Sequence, residues 1–285
     1  MIQGTVGILG LGAVGSALLG SCSRFDLPAV GWTRSWERRE WWRHTTEARV
    51  ESDLRDCVEA SDLVLLCVDE RAFDEMLERL VPLPPRTIAH TAGAHASSVL
   101  RPLAELGWTI GAFHPLRPIP ASRPEAIDGA TIAIEGHQAA VHRLAELAEQ
   151  IGCSWVELTG GDGARDRYHA ACALLSNGLV GLAARAEALL DQVTARPGDG
   201  RRAMRSLLEG TLENLAQGAP AEMLTGPVRR GDVVRVERHL DALEGEDREL
   251  YRELSRLLLP LVGEDLEPAR RAALSRLLDR SKDEA

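Results

Sequence analysis

The chain has 285 residues, 45% of them hydrophobic and 27% charged, with a formal net charge of -10. That length suits two domains, and the composition suits an ordinary folded protein. The negative balance repels phosphate backbones, which excludes nucleic acid as an expected partner and obliges any anionic cofactor to find a local basic patch.

The start, Met1-Ile2-Gln3-Gly4-Thr5, has no basic stretch ahead of an apolar one, so no signal peptide is expected. No run of about 18 apolar residues occurs, and no transmembrane helix or membrane partner is expected. Short apolar runs at 5–9, 29–33, 63–68, 87–90, 108–113 and 130–134 predict strands, with 154–158 as an edge strand. Helical patterns lie between most of them, beginning at 13–23. This alternation predicts an α/β fold: a Rossmann-type, doubly wound parallel sheet covered on both faces. After residue 163 the pattern is helical, with helices near 164–193, 201–217, 232–243, 247–261 and 267–278, and a fraying tail at 280–285. The expected division is a cofactor-binding domain over 1–160 and an all-helical substrate and dimerisation domain over 161–285. Cys22, Cys57, Cys67, Cys153 and Cys172 lack CxxC spacing and read as reduced core residues of a cytoplasmic protein. The histidines fall in no metal-ligand spacing, and no metal site is expected.

Gly10-Leu11-Gly12-Ala13-Val14-Gly15 follows a strand and opens a helix. In such a GxGxxG the first glycine permits the turn, the second lets backbone approach a pyrophosphate, and the third lets the helix pack on the strand. The phosphates then meet free N–H groups at the helix N-terminus. An NAD-binding chain carries an acid at the end of the second strand; this chain has Thr33-Arg34-Ser35, followed by Arg38 and Arg39. A carboxylate would repel a 2′-phosphate, whereas a guanidinium forks onto it. NADP(H) is therefore the expected cofactor, with Arg34 as its main phosphate contact and Arg38 and Arg39 read more as a solvated face. Val68, at the end of the third apolar run, is placed where the nicotinamide half passes.

Four segments carry a resemblance. They are His90-Thr91-Ala92-Gly93, Gly111-Ala112-Phe113-His114-Pro115-Leu116, Tyr168 to Asn177 (YHAACALLSN), and Leu224 to Asp232 (LTGPVRRGD). Together they resemble a bacterial family with a Rossmann-like domain and a C-terminal domain of unknown function that carries an LTGPxxRGD signature. That family is distantly similar to pyrroline-carboxylate reductase, ketopantoate reductase, and the 3-hydroxyacid and prephenate dehydrogenases. The resemblance implies the fold, the cofactor class and dimerisation through the C-terminal domain; it implies no substrate. Ala92 stands where the family has Ser, so Thr91 must supply that hydroxyl if it is used. Arg117 stands where the family tends to have Gln.

Hydride transfer needs a proton donor and a substrate anchor. The hydroxyacid relatives use a Lys four residues before an Asn; here Asn177 is present and Ala173 replaces the Lys. His169, Ala173 and Asn177 fall at i, i+4 and i+8, one face of an α-helix. His114, in the His-Pro pair at a strand end, is the other proton-transfer candidate, and His90 reads more as structural. Arg230 either pairs with Asp232 or holds a substrate carboxylate, while Asp232 caps the following helix. The leading expectation is an NADP-dependent oxidoreductase acting on a small, anionic keto, imino or hydroxy acid as a homodimer. A prephenate-type dehydrogenase and a non-catalytic NADP-binding sensor are the alternatives.

Overall fold

Most of the apolar runs of the first half pair as parallel strands, buried on both faces. In the computed structural model, which describes residues 4–120, 127–160 and 162–279, one eight-stranded sheet has the order β3-β2-β1-β4-β5-β6-β7-β8. Its strands are β1 (Val6–Leu9), β2 (Ala29–Trp32), β3 (Arg49–Glu51), β4 (Leu63–Leu66), β5 (Thr87–His90), β6 (Thr109–Pro115), β7 (Thr131–Gly136) and β8 (Ser154–Glu157). The tail at 280–285 lies outside the described residues.

The period-two alternation of strand side chains sorts the core into two layers. Val6, Ile8, Leu63 and Leu65 face one layer, with Leu18, Phe113 and Leu144. Leu9, Val64 and Leu66 face the other, with Met76, Leu103 and Trp108. The helices covering these faces are α1 (Ala13–Arg24), α2 (Trp36–Thr45), α3 (Leu54–Glu59), α4 (Phe73–Leu80), α5 (Arg101–Ala104) and α6 (Gln138–Gln150).

Two features depart from the expected sheet, one in strand direction and one in strand number. β7 runs antiparallel to β6, setting His114 opposite Ala133. A parallel return needs a long crossover, usually helical, and the described part of the 115–131 link holds no helix. β3, paired parallel to β2, is a three-residue edge strand whose Arg49 and Glu51 hide it from an apolar pattern. β8 lies at the opposite edge, as expected.

The chain divides into two compact units, Met1–Ser176 and Asn177–Ala285. The first takes in α7 (Asp162–Ala173), beyond the expected boundary after residue 160. A π-helical turn, Leu174–Gly178, separates α7 from α8 (Leu179–Asp191) where one unbroken α-helix was expected. The second unit continues with α9 (Asp199–Leu215), α10 (Pro220–Met223), α11 (Pro227–Arg230), α12 (Val233–Ala242), α13 (Gly245–Leu258) and α14 (Pro268–Asp279). Its core gathers Val228, Val236, Leu240, Val262, Leu266, Leu274 and Leu278. Among the described residues one helical run, Gly163–Asp191, is long and apolar enough to cross a membrane by length and composition alone. Its Ala, Leu and Val residues raise the average, while Ser176 and Asn177 interrupt the apolar run.

Candidate functional site

The β1–α1 turn is built by close approach. Gly10 has φ 100°, and a Cβ there would lie 2.7 Å from the Cys67 carbonyl oxygen and 2.9 Å from a Val68 methyl. A Cβ on Gly15 would overlap the carbonyl oxygen of Gly10. α1 starts without a side-chain cap and without an acid in its first turn, so its first N–H groups and its dipole are left for an anion. Above Gly12 only Arg38 Nη1 comes near, at 3.8 Å from a built Cβ. Leu11 is buried, while Ala13 and Val14 are half-buried. A loop open at its second glycine, uncapped and faced by a cation, fits a dinucleotide pyrophosphate.

The second-strand residues are arranged differently from the expectation. Thr33 is buried and its hydroxyl accepts from Ser35 N at 3.3 Å. The Ser35 hydroxyl accepts from Arg38 N at 3.2 Å as the α2 cap and donates to Glu37 at 2.8 Å. Arg34 pairs with Glu75 of α4 at 3.0 Å, both side chains being well exposed. Arg38, read as solvated, instead donates from Nη1 to the Leu11 carbonyl at 2.7 Å. It sits on the glycine loop itself. It stands in the first turn of α2, three residues after the Ser35 cap that follows the second strand.

A second cluster forms where β5 and β6 meet α7. His90 is buried, with Nε2 3.1 Å from the Ala96 carbonyl. That nitrogen carries the proton, and Nδ1 has no partner among the described residues. Burial lowers its pKa from 6.5 to about 4, with the Arg165 cation also contributing. His114 Nδ1 shares a 2.5 Å hydrogen bond with the Tyr168 hydroxyl, the rings meeting edge-on at 5.7 Å. Burial, then the Arg165 and His169 charges, takes His114 from 6.5 to about 4. Burial pushes the Tyr168 phenol up. Both rings are therefore uncharged near neutrality.

Arg165 ties the cluster together. Its side chain is 1% exposed; Nε donates to the Gly93 carbonyl and Nη2 to the Ala92 carbonyl, each at 2.9 Å. Nη1 lies 3.7 Å from the Glu135 carboxylate of β7, which also accepts from Ser97 N at 2.5 Å. The guanidinium covers the Tyr168 ring at 4.9 Å. At Gly93 a Cβ would lie 2.8 Å from His114 Nε2 and 3.1 Å from the His169 ring, so the missing side chain is what lets both imidazoles reach the strand end. Beside them is a cavity of about 400 Å³ lined by His95, Ser98, Arg101, Arg165 and Asp166 among others.

Other candidates fall elsewhere. The Thr91 hydroxyl is turned onto the Leu66 carbonyl at 3.5 Å, so it does not take over for the serine that Ala92 replaces. Arg117 donates to the Asp128 carbonyl at 2.5 Å. Asn177 lies in the π turn, whose wider winding breaks the i, i+4, i+8 register assumed from His169. Arg230 ends α11 and is exposed; Asp232 caps α12, accepting from Arg235 N at 3.0 Å. Arg165, Tyr168 and Glu135 were not singled out from sequence. Among the described residues no group of three His, Cys, Asp or Glu is placed to hold a metal.

Two neutral buried histidines set a pH dependence. The unfolded chain takes up protons near the ordinary histidine pKa of 6.5, while the folded chain resists until about 4. Stability is thus intact above about pH 6.5 and falls as the pH drops toward 4, by on the order of 2 kcal/mol per ring by pH 5. Urea midpoints at pH 7 and pH 5 should differ accordingly, with a smaller difference for His90→Gln. A midpoint that does not move with pH contradicts the placement of both rings.

Residues 5–89 match the family model described as NADP oxidoreductase coenzyme F420-dependent. Residues 130–258 match that of a domain of unknown function, DUF2520. No curated protein matches the chain in sequence. Among solved structures, a candidate NADP oxidoreductase from Bacteroides fragilis is similar with TM-score 0.68 and 22% identity over 90% of this chain and 98% of that one. The pyrroline-5-carboxylate reductase of Coxiella burnetii is similar with TM-score 0.66 and 10% identity over 97% of this chain and 99% of that one. The reductive aminase of Aspergillus terreus, in complex with NADPH and ethyl-5-oxohexanoate, has TM-score 0.59 and 16% identity over 98% and 93%. At these identities the likeness is one of fold.

Proposed function

Starting from a chain that joins a Rossmann domain of the NADP oxidoreductase family to the C-terminal domain of unknown function, we propose an NADP-dependent oxidoreductase. It acts on a small keto, imino or hydroxy acid. The observation that carries this reading is the pairing, on one sheet, of an open glycine loop faced by Arg38 with uncharged acid–base side chains at the ends of β5 and β6. Strand C-termini are where ligands bind in such sheets. The NADPH bound to the reductive aminase supports the cofactor class.

In this reading Gly10 to Gly15 and the start of α1 take the pyrophosphate. Arg38 and Arg34 take the 2′-phosphate, Arg34 exchanging Glu75 for it, and Val68 borders the nicotinamide half. When bound, the reduced nicotinamide supplies the hydride. His114 moves the proton, and the cavity beside Arg101 and Arg165 suits the carboxylate of a small acid. His169, Asn177 and Arg230 remain proposed contributors, and the helical unit is assigned substrate selection and self-association.

The test is a titration with NADPH and NADH followed by nicotinamide fluorescence. NADPH should bind more tightly, and Arg38→Ala and Arg34→Ala should each weaken NADPH by roughly 10- to 100-fold, the value of a charge-assisted hydrogen bond. NADH should change less with Arg34→Ala. Equal binding of the two cofactors, indifferent to both substitutions, overturns the cofactor assignment.

The proposal includes a homodimer in the cytoplasm. Leu174, Leu175 and Val180 are 74%, 78% and 70% exposed, and α8 has no buried side chain in the isolated chain. A two-fold pair covers one such face with its own copy, and the five free cysteines suit a reducing compartment. Light scattering should give a dimer, and Leu175→Glu should give a monomer. A monomeric wild-type chain removes this part.

A further inference from the structure

His114 and Tyr168 are 54 residues apart in sequence, yet their side chains meet at 2.5 Å. Each group in that pair has a second neighbour. Cys172 follows Tyr168 one helical turn on in α7. His114 Nε2 faces the open side of Gly93, 2.8 Å from the Cβ that glycine lacks. A ring nitrogen with an in-plane lone pair is a better acceptor than a phenol oxygen. Between two uncharged partners the shared proton therefore rests on oxygen, and Tyr168 donates to Nδ1. The single proton of the neutral imidazole must then be on Nε2, toward Gly93.

We infer that Tyr168 and His114 form a proton relay, from Tyr168 Oη to His114 Nδ1 and from His114 Nε2 to the substrate, and that it serves a carbonyl or hydroxyl substrate rather than an imine cation. The inference rests on the oxidoreductase reading above. In the reducing direction the carbonyl carbon gains the hydride of NADPH, the C=O π bond breaks, and the oxygen takes the Nε2 proton. Nδ1 simultaneously takes the Tyr168 proton, so the imidazole begins and ends neutral. The phenolate left behind lies under the Arg165 guanidinium, 4.9 Å from the ring, and regains its proton from water. The oxidising direction runs the same transfers in reverse.

The substrate class follows from charge. An imine cation carries its proton before the hydride arrives and needs no donor. It would also sit beside a fixed cation. The charged and titratable groups facing His114 are Arg165, Tyr168 and His169 of α7 and His90 of β5. The nearby carboxylate, Glu135 of β7, already accepts from Ser97 N and lies 3.7 Å from Arg165. A carbonyl oxygen that becomes an alcohol uses both the proton and the positive field.

Full-length protein labelled with ¹⁵N in histidine tests the pair without any turnover. The His114 ring should be protonated at Nε2 and bare at Nδ1, and remain so from pH 8 to about pH 5. Tyr168→Phe should bring it to a mixture of both tautomers. Should Tyr168→Phe fail to fold, 3,5-difluorotyrosine at position 168, a more acidic phenol of nearly the same shape, should shift the Nδ1 resonance. A wild-type ring protonated at Nδ1, or a tautomer indifferent to both changes, overturns the relay. In the second arm, NADPH oxidation is followed with glyoxylate, 2-oxobutyrate and the cyclic imine 1-piperideine-2-carboxylate. Keto-acid turnover whose kcat falls about 100-fold or more in Tyr168→Phe, with KM little changed, supports the relay, since a lost proton donor costs that much. Faster turnover of the imine overturns the substrate class. No turnover despite bound NADPH overturns the relay's catalytic role and the oxidoreductase reading together, while a tautomer that fails to respond overturns the relay alone.

Discussion

Gly15→Ala should sharply weaken NADPH binding and lower the melting temperature, although alanine is the better helix former. Intrinsic propensity alone favours alanine within a helix by about 1 kcal/mol. At Gly15 the new methyl would overlap the Gly10 carbonyl oxygen and lie 3.1 Å from Cys67 Cβ. Backbone of the β1–α1 turn stands in the way, not the end of a flexible side chain. α1 must therefore lift off the strand, taking its N-terminal N–H groups away from the phosphate site. We expect a loss of NADPH affinity of at least about 100-fold and a destabilisation on the order of 2 kcal/mol. Gly20 supplies the control. It lies on the same helix with nothing within 4 Å of a built Cβ, so Gly20→Ala should stabilise by about 0.5–1 kcal/mol and leave binding intact. Thermal melts and NADPH titrations of the two variants read the contrast directly. Equal binding by Gly15→Ala and wild type would refute the role given to this turn.

The legibility of the chain follows the range of the interactions involved. Gly10 to Gly15 could be read because turn, close approach and helix start are all local. The central strands could be read because burial on both faces leaves an unbroken apolar run, as in Leu63 to Leu66. β3 could not, since an edge strand with Arg49 and Glu51 needs no apolar code. The direction of β7 was hidden because its residues fit either pairing. Among site residues, His114 was visible from its place beside a proline at a strand end. Tyr168 and Arg165 were not, because their partners are 54 and 72 residues away in sequence. Arg34 shows in the sequence as a cation at the end of the second strand, but its partner Glu75, 41 residues on, does not. The π turn at Leu174–Gly178 broke a register argument that is sound only for α geometry.

Arg165→Met is expected to cost about 3–5 kcal/mol. The guanidinium holds three pieces of chain at once: the Ala92 and Gly93 carbonyls after β5, the Glu135 carboxylate on β7, and its own helix α7. Methionine fills much of the volume but donates nothing. Two part-buried carbonyls lose their donors, and Glu135, only 9% exposed, loses its compensating cation. Removing one member of a buried pair is strongly destabilising because of the charge left behind, whereas replacing both can be close to neutral. The double variant Arg165→Met/Glu135→Gln should therefore be more stable than Arg165→Met alone. It should not reach wild type, because the Ala92 and Gly93 carbonyls remain unpaired. Urea denaturation of the two single variants and the double variant closes the cycle and gives the coupling energy. Additive losses would mean that Glu135 is compensated by Ser97 N and water, and that Arg165 acts only through the two carbonyls. A non-additive result would identify the Arg165–Glu135 contact, loose as it is at 3.7 Å, as what keeps β7, the loop after β5 and α7 in register. His114 and Tyr168 depend on that register to meet.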